Sequence, residues 1–368
     1  MKRGLLSVVM GVFILVGLGC DRSESPPPVE KGEVLRITCW AGYAEPYADK
    51  FKALVKEKFG VNLKVEIFNP TDQDEFYLAA KNGTADLISP PYELPKMARF
   101  YAYGEGARLL QPVDVANIPN LQKLLPVFRE DDTPLFAGQR YGVPYNCGPY
   151  GLAYNADVVK TAPDSWNALW DPQYAGKYTV NNNFPKVNVW ISALALGYTY
   201  ADLFDITRLD ADKIQPKLDT LAVNAKSLWD GSANPDEFPG LSLATDWGFA
   251  AAQANLKGGH WRIAAPKEGG TAWIDAWYIT SAATGMKKRL AEEWINFMLS
   301  DENQADIIKS QGVSPVVNVS ALLSPEDTAM FHVGDNEYFK TVALWRVMDE
   351  ATEKAFDEMW NKAKSKRK

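Results

Sequence analysis

The chain has 368 residues, of which 46% are hydrophobic and 12% aromatic, with 46 acidic against 39 basic side chains and a net charge of −7. That acidic balance argues against nucleic acid as a partner, which calls for a basic footprint, and it permits a cationic ligand. Three cysteines in this length exclude a disulfide framework, and the length exceeds one ordinary hydrophobic core, which predicts two lobes.

The first element is MKRGLLSVVMGVFILVGLGC, in which Lys2 and Arg3 precede a short uncharged run. A basic start and a brief apolar stretch form a signal-peptide pattern, shorter than the ~20 residues a membrane-spanning helix needs. Gly17-Leu18-Gly19-Cys20 resembles a bacterial lipobox, with Gly17 where a branched residue is usual. It predicts a signal peptide over residues 1–19 and lipidation of Cys20; simple secretion with cleavage after Gly19 is the alternative. Asp21 resembles an inner-membrane retention signal, so a lipid-anchored protein outside the inner membrane is expected. DRSESPPPVEKGE is charged and Pro/Ser-rich, which predicts an extended tether over residues 20–34. Loss of Lys2 and Arg3 with the leader takes the net charge from −7 to −9.

From Val34 the run VLRITCW predicts a strand, and a helix follows from Pro46, with Phe51, Leu54, Val55 and Phe59 at helical spacing before Gly60. VNLKVEIF alternates as a strand does, a polar helix is expected near 72–82, and DLIS predicts a third strand. Strand, helix, strand, helix, strand implies parallel pairing through crossover helices. The rhythm returns with a helix over 186–198, the strand LSLATDW, an Ala-rich helix ending at Gly258-Gly259 and the strand WRIAAP. After PKEGGTAWIDAWYI, an amphipathic helix carries Leu290, Ala291, Trp294, Ile295 and Met298 on one face. Asp301 and Gln304 resemble a capping box for the helix that stops at Gly312. The last residues, 361–368, are basic and expected to fray.

In open α/β sheets ligands bind beyond the carboxyl ends of strands. Three aromatic groups fall there: Trp40 to Tyr43, Trp247, and Trp273 to Tyr278 with Asp275 among them. The catalytic inventory is thin. His260 and His332 have no metal spacing, and no G-x-S-x-G, C-x-x-C, H-E-x-x-H or P-loop pattern occurs. No metal site, no cofactor and no enzymatic activity are expected, and a secreted enzyme of unknown type is the alternative of another class. Tryptophan faces attract ammonium groups by cation–π interaction, and a desolvated carboxylate adds a charge-assisted hydrogen bond. Trp, Tyr and one acid together suit an amine.

ITCWAGYAEP, DLISPPYELPKM, GVPYNCGPYGLAYN, SWNALWDPQYAGK and PKEGGTAWID follow one another between residues 37 and 275. In that order they resemble the periplasmic spermidine/putrescine-binding proteins of ABC importers, with WINFMLSDENQ and SPVVN as weaker support. The resemblance implies two hinge-connected lobes, each a mostly parallel sheet flanked by helices, that close on a ligand. It places residues 35–143 plus 276–320 in one lobe and 144–275 plus 321–360 in the other. It also implies a monomer that delivers a small amine to a permease and an ATPase, touching the membrane through its lipid anchor. Carried over by motif, the ligand residues are Trp40, Tyr43, Tyr92, Trp247, Trp273 and Asp275. The chain departs from the family elsewhere: Ala41-Gly42 replaces a hydroxyl and an acid, NNNFPKVN stands where acids are found, and Trp345-Arg346 where a glutamine is common. With Asn183 and Arg346 added to the candidates, one retained acid suits either a polyamine or a zwitterionic amine such as an amino acid, a γ-amino acid or an aminophosphonate. A ferric-iron site on Tyr145, Tyr150 and Tyr154 is a further reading.

Overall fold

The strand Gly32–Cys39 buries Leu35 and Ile37 on either side of the half-buried Arg36. It pairs in parallel with Asn62–Phe68, from Gly32 opposite Asn62 to Thr38 opposite Phe68, and on its other side with Leu87–Ser89. The helix Ala48–Phe59 makes the first crossover and ends at Gly60 in the left-handed conformation, the usual helix stop. The helix Asp74–Lys81 makes the second. This computed structural model describes residues 32–97 and 108–367, with Thr341 as backbone only, so the leader and Cys20 lie outside the described residues.

Two mixed sheets organise the body. The first runs in the order 314–315, 142–149, 271–280, 87–89, 32–39, 62–68, with 343–344 and 110–111 also paired to 271–280. The second runs 227–229, 178–181, 243–246, 151–155, 261–263. Each joins a parallel run to antiparallel strands that carry the chain between lobes. The chain passes from the strand Gly142–Pro149 in the first sheet to Gly151–Asn155 in the second, and it returns through the loop 264–270 to Thr271–Thr280. The lobe boundaries expected at 143/144 and 275/276 fall inside these two long crossing strands.

Helices Ala48–Phe59 and Met286–Met298 meet over the first sheet through Phe51 and Trp294, 4.9 Å edge to face. Helices Pro185–Leu194, Ala211–Asn224 and Glu350–Lys364 pack together on the second. Among the described residues no helix is long and apolar enough to cross a membrane.

Two local expectations change. The cap of helix Asp301–Gln311 is Ser300, whose hydroxyl accepts from the Asn303 N–H. Gln304 is buried instead, and its amide donates to the carbonyls of Tyr145 and Met298, a use that takes precedence over capping because those carbonyls are out of reach of water. The basic C-terminal segment does not fray within the described residues: Lys366 pairs with Asp219, and the Arg367 guanidinium donates to the carbonyls of Ala222 and Ala225. Cys39 and Cys147 are separate buried thiols.

Candidate ligand-binding cleft

A cleft of about 540 Å³ opens where the two sheets face each other. Carboxyl ends of strands from both sheets supply its walls: Trp40 follows Gly32–Cys39, Phe184 follows Tyr178–Asn181, and Trp247 follows Leu243–Asp246. Among the described residues, Asp275 is the only acidic or basic side chain lining it.

Asp275 is placed by an irregularity in the sheet. It pairs with Asn146 while Ala276 pairs with Pro144, so Tyr145 is an extra residue on the neighbouring strand. Such bulges re-aim side chains next to functional sites. The unpaired Tyr145 carbonyl is taken by Gln304 at 2.9 Å. On the other edge, Tyr92 N–H donates to the Ile274 carbonyl at 2.8 Å, and Ala276 N–H to the Pro90 carbonyl at 3.1 Å. The backbone around residue 275 is therefore satisfied, and the carboxyl is left to the cleft.

That carboxyl is 3% exposed and accepts one hydrogen bond, from the Tyr43 hydroxyl to Oδ2 at 2.6 Å. Burial pushes its pKa up to about 8; the Tyr43 bond and Lys186 oppose the shift, and Glu93 adds to it. Burial and the neighbouring Asp275 hold the Tyr43 hydroxyl well above its ordinary value, so it stays a donor. Without a ligand, Asp275 is mostly neutral at pH 7, and a cation entering the cleft favours its charged form.

Four indoles line the cavity together with this acid. Trp247 is fixed by its N–H to the Gly231 carbonyl at 2.7 Å, and its ring meets Phe184 at 5.5 Å and Trp345 at 5.8 Å. Trp345 donates its indole N–H to Thr271 Oγ1 at 3.1 Å. Trp40 packs edge-on to Phe76 at 4.9 Å. Trp273 lies against Gly148, where a Cβ would come within 2.8 Å of Cζ2, so only glycine leaves room for the indole. Its N–H is buried with no hydrogen-bond partner among the described residues.

The loop that delivers this strand is tied to the second lobe. Glu268 accepts from the Ser165 hydroxyl and the Trp166 N–H, and the Trp166 indole donates to the Gly269 carbonyl at 2.7 Å. Gly269 has φ +78° and the Tyr200 hydroxyl where a Cβ would stand, so no other residue fits.

Beside the cleft sits a buried ion pair between the lobes. Lys186, at the start of its helix, reaches Glu93 Oε1 at 2.9 Å, with side chains 7% and 0% exposed. The same ammonium lies 4.0 Å from the centre of the Trp345 ring. The lobes also touch where the Asn183 amide donates to the Thr71 carbonyl at 2.8 Å and the Gln253 amide to the Ser310 carbonyl at 3.2 Å.

Of the residues expected from the sequence, Trp40, Tyr43, Trp247, Trp273 and Asp275 line one cavity. Three others do not. Tyr92 is buried behind it, its carbonyl accepting from the Tyr278 hydroxyl at 2.6 Å. Asn183 uses its side chain on Thr71 and on the Gly231 N–H. Arg346 is exposed, because Trp345 is the residue of that pair that turns inward. The hydroxyls of Tyr145 and Tyr150 do not converge on an iron site, since one contacts Gln311 and the other Thr245. Reading forward from the sequence missed Trp345, Phe249, Gln311 and the Lys186–Glu93 pair. The strand-end rule applied to Leu243–Asp246 points to Phe249; nothing local marks Gln311, which comes from the end of a helix.

The sequence profile described as "Bacterial extracellular solute-binding protein" matches residues 82–342. The spermidine/putrescine-binding periplasmic protein of Salmonella typhimurium is 29% identical over 256 residues, 67% of this chain and 68% of that protein. The putrescine-binding periplasmic protein PotF of Escherichia coli is 24% identical over 323 residues, 83% of this chain and 82% of the relative. The structure of the substrate-binding protein PotD from Streptococcus pneumoniae superimposes with a TM-score of 0.72 at 22% identity, covering 91% of this chain and all of that one.

Proposed function

The chain belongs to the family of bacterial extracellular solute-binding proteins, and from that premise we propose that it captures a small amine between its lobes and delivers it to an ABC importer. The family binds solutes rather than transforming them, which sets the enzyme alternative aside. One observation carries the choice of an amine: Asp275, buried and mostly neutral when the cleft is empty, shares its cavity with four tryptophans. An ammonium group gains a charge-assisted hydrogen bond from the acid and cation–π attraction from the indoles. The relatives are named for binding spermidine and putrescine, which supports the same ligand class. In this reading Trp40, Tyr43, Trp247, Trp273, Asp275 and Trp345 contact the ligand.

The anchor belongs to the proposal. Lipid on Cys20 holds the folded body at the outer face of the inner membrane, and a permease and an ATPase receive the ligand. Labelled fatty acid incorporated by the full chain and lost in Cys20→Ala tests it; label retained in the variant overturns it.

Tryptophan fluorescence titration with an amine panel tests the ligand class. Saturable quenching is expected for the wild type, lost in Asp275→Asn and weakened in Trp247→Ala. Amine binding that both variants keep at full strength contradicts it.

A further inference from the structure

Resting on the amine reading, we propose that of two cation sites, one in the cleft and one beside it, the second is filled by the protein's own Lys186, and that the ligand therefore carries a single positive charge. The two sites share a recipe. Asp275 is a buried carboxylate in a cavity that four tryptophans line. Glu93 is a buried carboxylate whose cation lies over the Trp345 ring, and Trp345 also lines the cleft. Glu93 and Lys186 are close enough for their charges to act on Asp275, so both sites belong to one electrostatic neighbourhood. At one the cation is Lys186, 2.9 Å from Glu93 and nearly without solvent contact; at the other no side chain supplies it.

A diamine has two ammonium groups and finds one acid. Glu93 is buried and does not line the cleft, and displacing Lys186 to reach it would leave a lysine buried without its partner, a costly arrangement. Left beside the pair, the second charge faces the Lys186 ammonium as a like charge. A zwitterion fares no better. The one basic side chain at this end already has its carboxylate, and Arg346 is exposed outside the cavity. The remaining lining is aromatic, aliphatic or neutral polar, which suits an uncharged, largely apolar body attached to one ammonium.

Three ligands with the same four-carbon chain isolate the charge pattern: n-butylamine, putrescine and 4-aminobutyrate. Calorimetric titration of the wild-type protein is expected to give n-butylamine at least tenfold tighter binding than either of the others. Lys186→Met frees Glu93, and putrescine is then expected to gain at least tenfold relative to n-butylamine. Lys186→Met leaves the buried Glu93 carboxylate without its cation, which destabilises the single variant. The pair-neutral variant Glu93→Gln/Lys186→Met removes both charges and is expected to show no gain for putrescine. Putrescine binding as tightly as n-butylamine to the wild type, or a putrescine gain in the pair-neutral variant equal to that in Lys186→Met, overturns the inference and leaves the amine reading standing. No binding of either amine to the wild type overturns the amine reading itself.

Discussion

Two buried carboxylates close to one cleft meet opposite treatment. Glu93 has a lysine at 2.9 Å and an indole behind that lysine. Asp275 has one phenol, four indoles in its cavity and no cation, and its carboxyl is pushed up to about 8. The first arrangement already holds its cation and ties the lobes together. The second is complete only when something positive arrives, so Asp275 costs stability in the empty protein, which is the mark of a site held ready for a ligand rather than of a core.

The sharpest way to break the contrast is Asp275→Asn. Loss of a desolvated charge partner is worth about 2–5 kcal/mol, so amine affinity should drop at least thirtyfold in a titration. Stability moves the other way. A carboxyl raised from 3.8 to about 8 holds its proton in the folded chain while the unfolded chain has lost it. The folded state is therefore favoured at low pH, and that advantage disappears as pH rises from near 4 through about 8. Asp275→Asn escapes the loss. Urea unfolding of the empty protein at pH 8.5 should show the variant more stable by a few kcal/mol, on the order of 1.4 kcal/mol for each pH unit between the folded and unfolded values, with the advantage shrinking as pH is lowered.

Next in size is the pH dependence of binding. Below about pH 8 the cation must first take the place of the Asp275 proton. Affinity should then fall roughly tenfold per pH unit between 7.5 and 5.5, and the slope should be absent from Asp275→Asn. A flat profile in the wild type separates the acid from the ligand.

Trp247→Ala and Trp345→Ala should each weaken binding by about tenfold, as loss of a packed aromatic anchor does. Gly148→Ala sharpens the comparison further, because a Cβ 2.8 Å from Trp273 Cζ2 displaces the indole and leaves Asp275 untouched. Overpacking of this kind costs ~1–3 kcal/mol of stability, and a several-fold loss of affinity should accompany it. Arg346→Ala should change affinity less than twofold, since that side chain is exposed outside the cavity.

Much of the scaffold could be read in advance because it rests on local pattern. The alternation of VNLKVEIF became the strand Asn62–Phe68, the stripe ending at Met298 became its helix, and Gly60 and Gly312 stopped theirs. The strand-end rule brought Trp40 and Trp247 into the cavity, whereas Trp273 and Asp275, expected at a strand end, lie inside the strand Thr271–Thr280, whose bulge re-aims the acid. What escaped depends on distant parts of the chain. Nothing near Gln304 announces the carbonyl of Tyr145, and nothing near Lys186 announces Glu93, 93 positions away. The choice of Trp345 over its neighbour Arg346 turns on which face of a two-residue strand end meets Ala272 and Thr271. The scarcity of acids along the groove also reads differently in three dimensions: Glu93 is an acid beside the groove, and Lys186 occupies it.

Counting protons tests the central claim most directly. Calorimetry of n-butylamine binding at pH 7, in buffers of different ionisation enthalpy, measures the protons released per ligand bound. With Asp275 near pKa 8 before binding and ionised afterwards, about 0.9 proton should leave. Asp275→Asn should release none and bind weakly. Tight binding with no proton release in the wild type, unchanged by Asp275→Asn, would contradict the account.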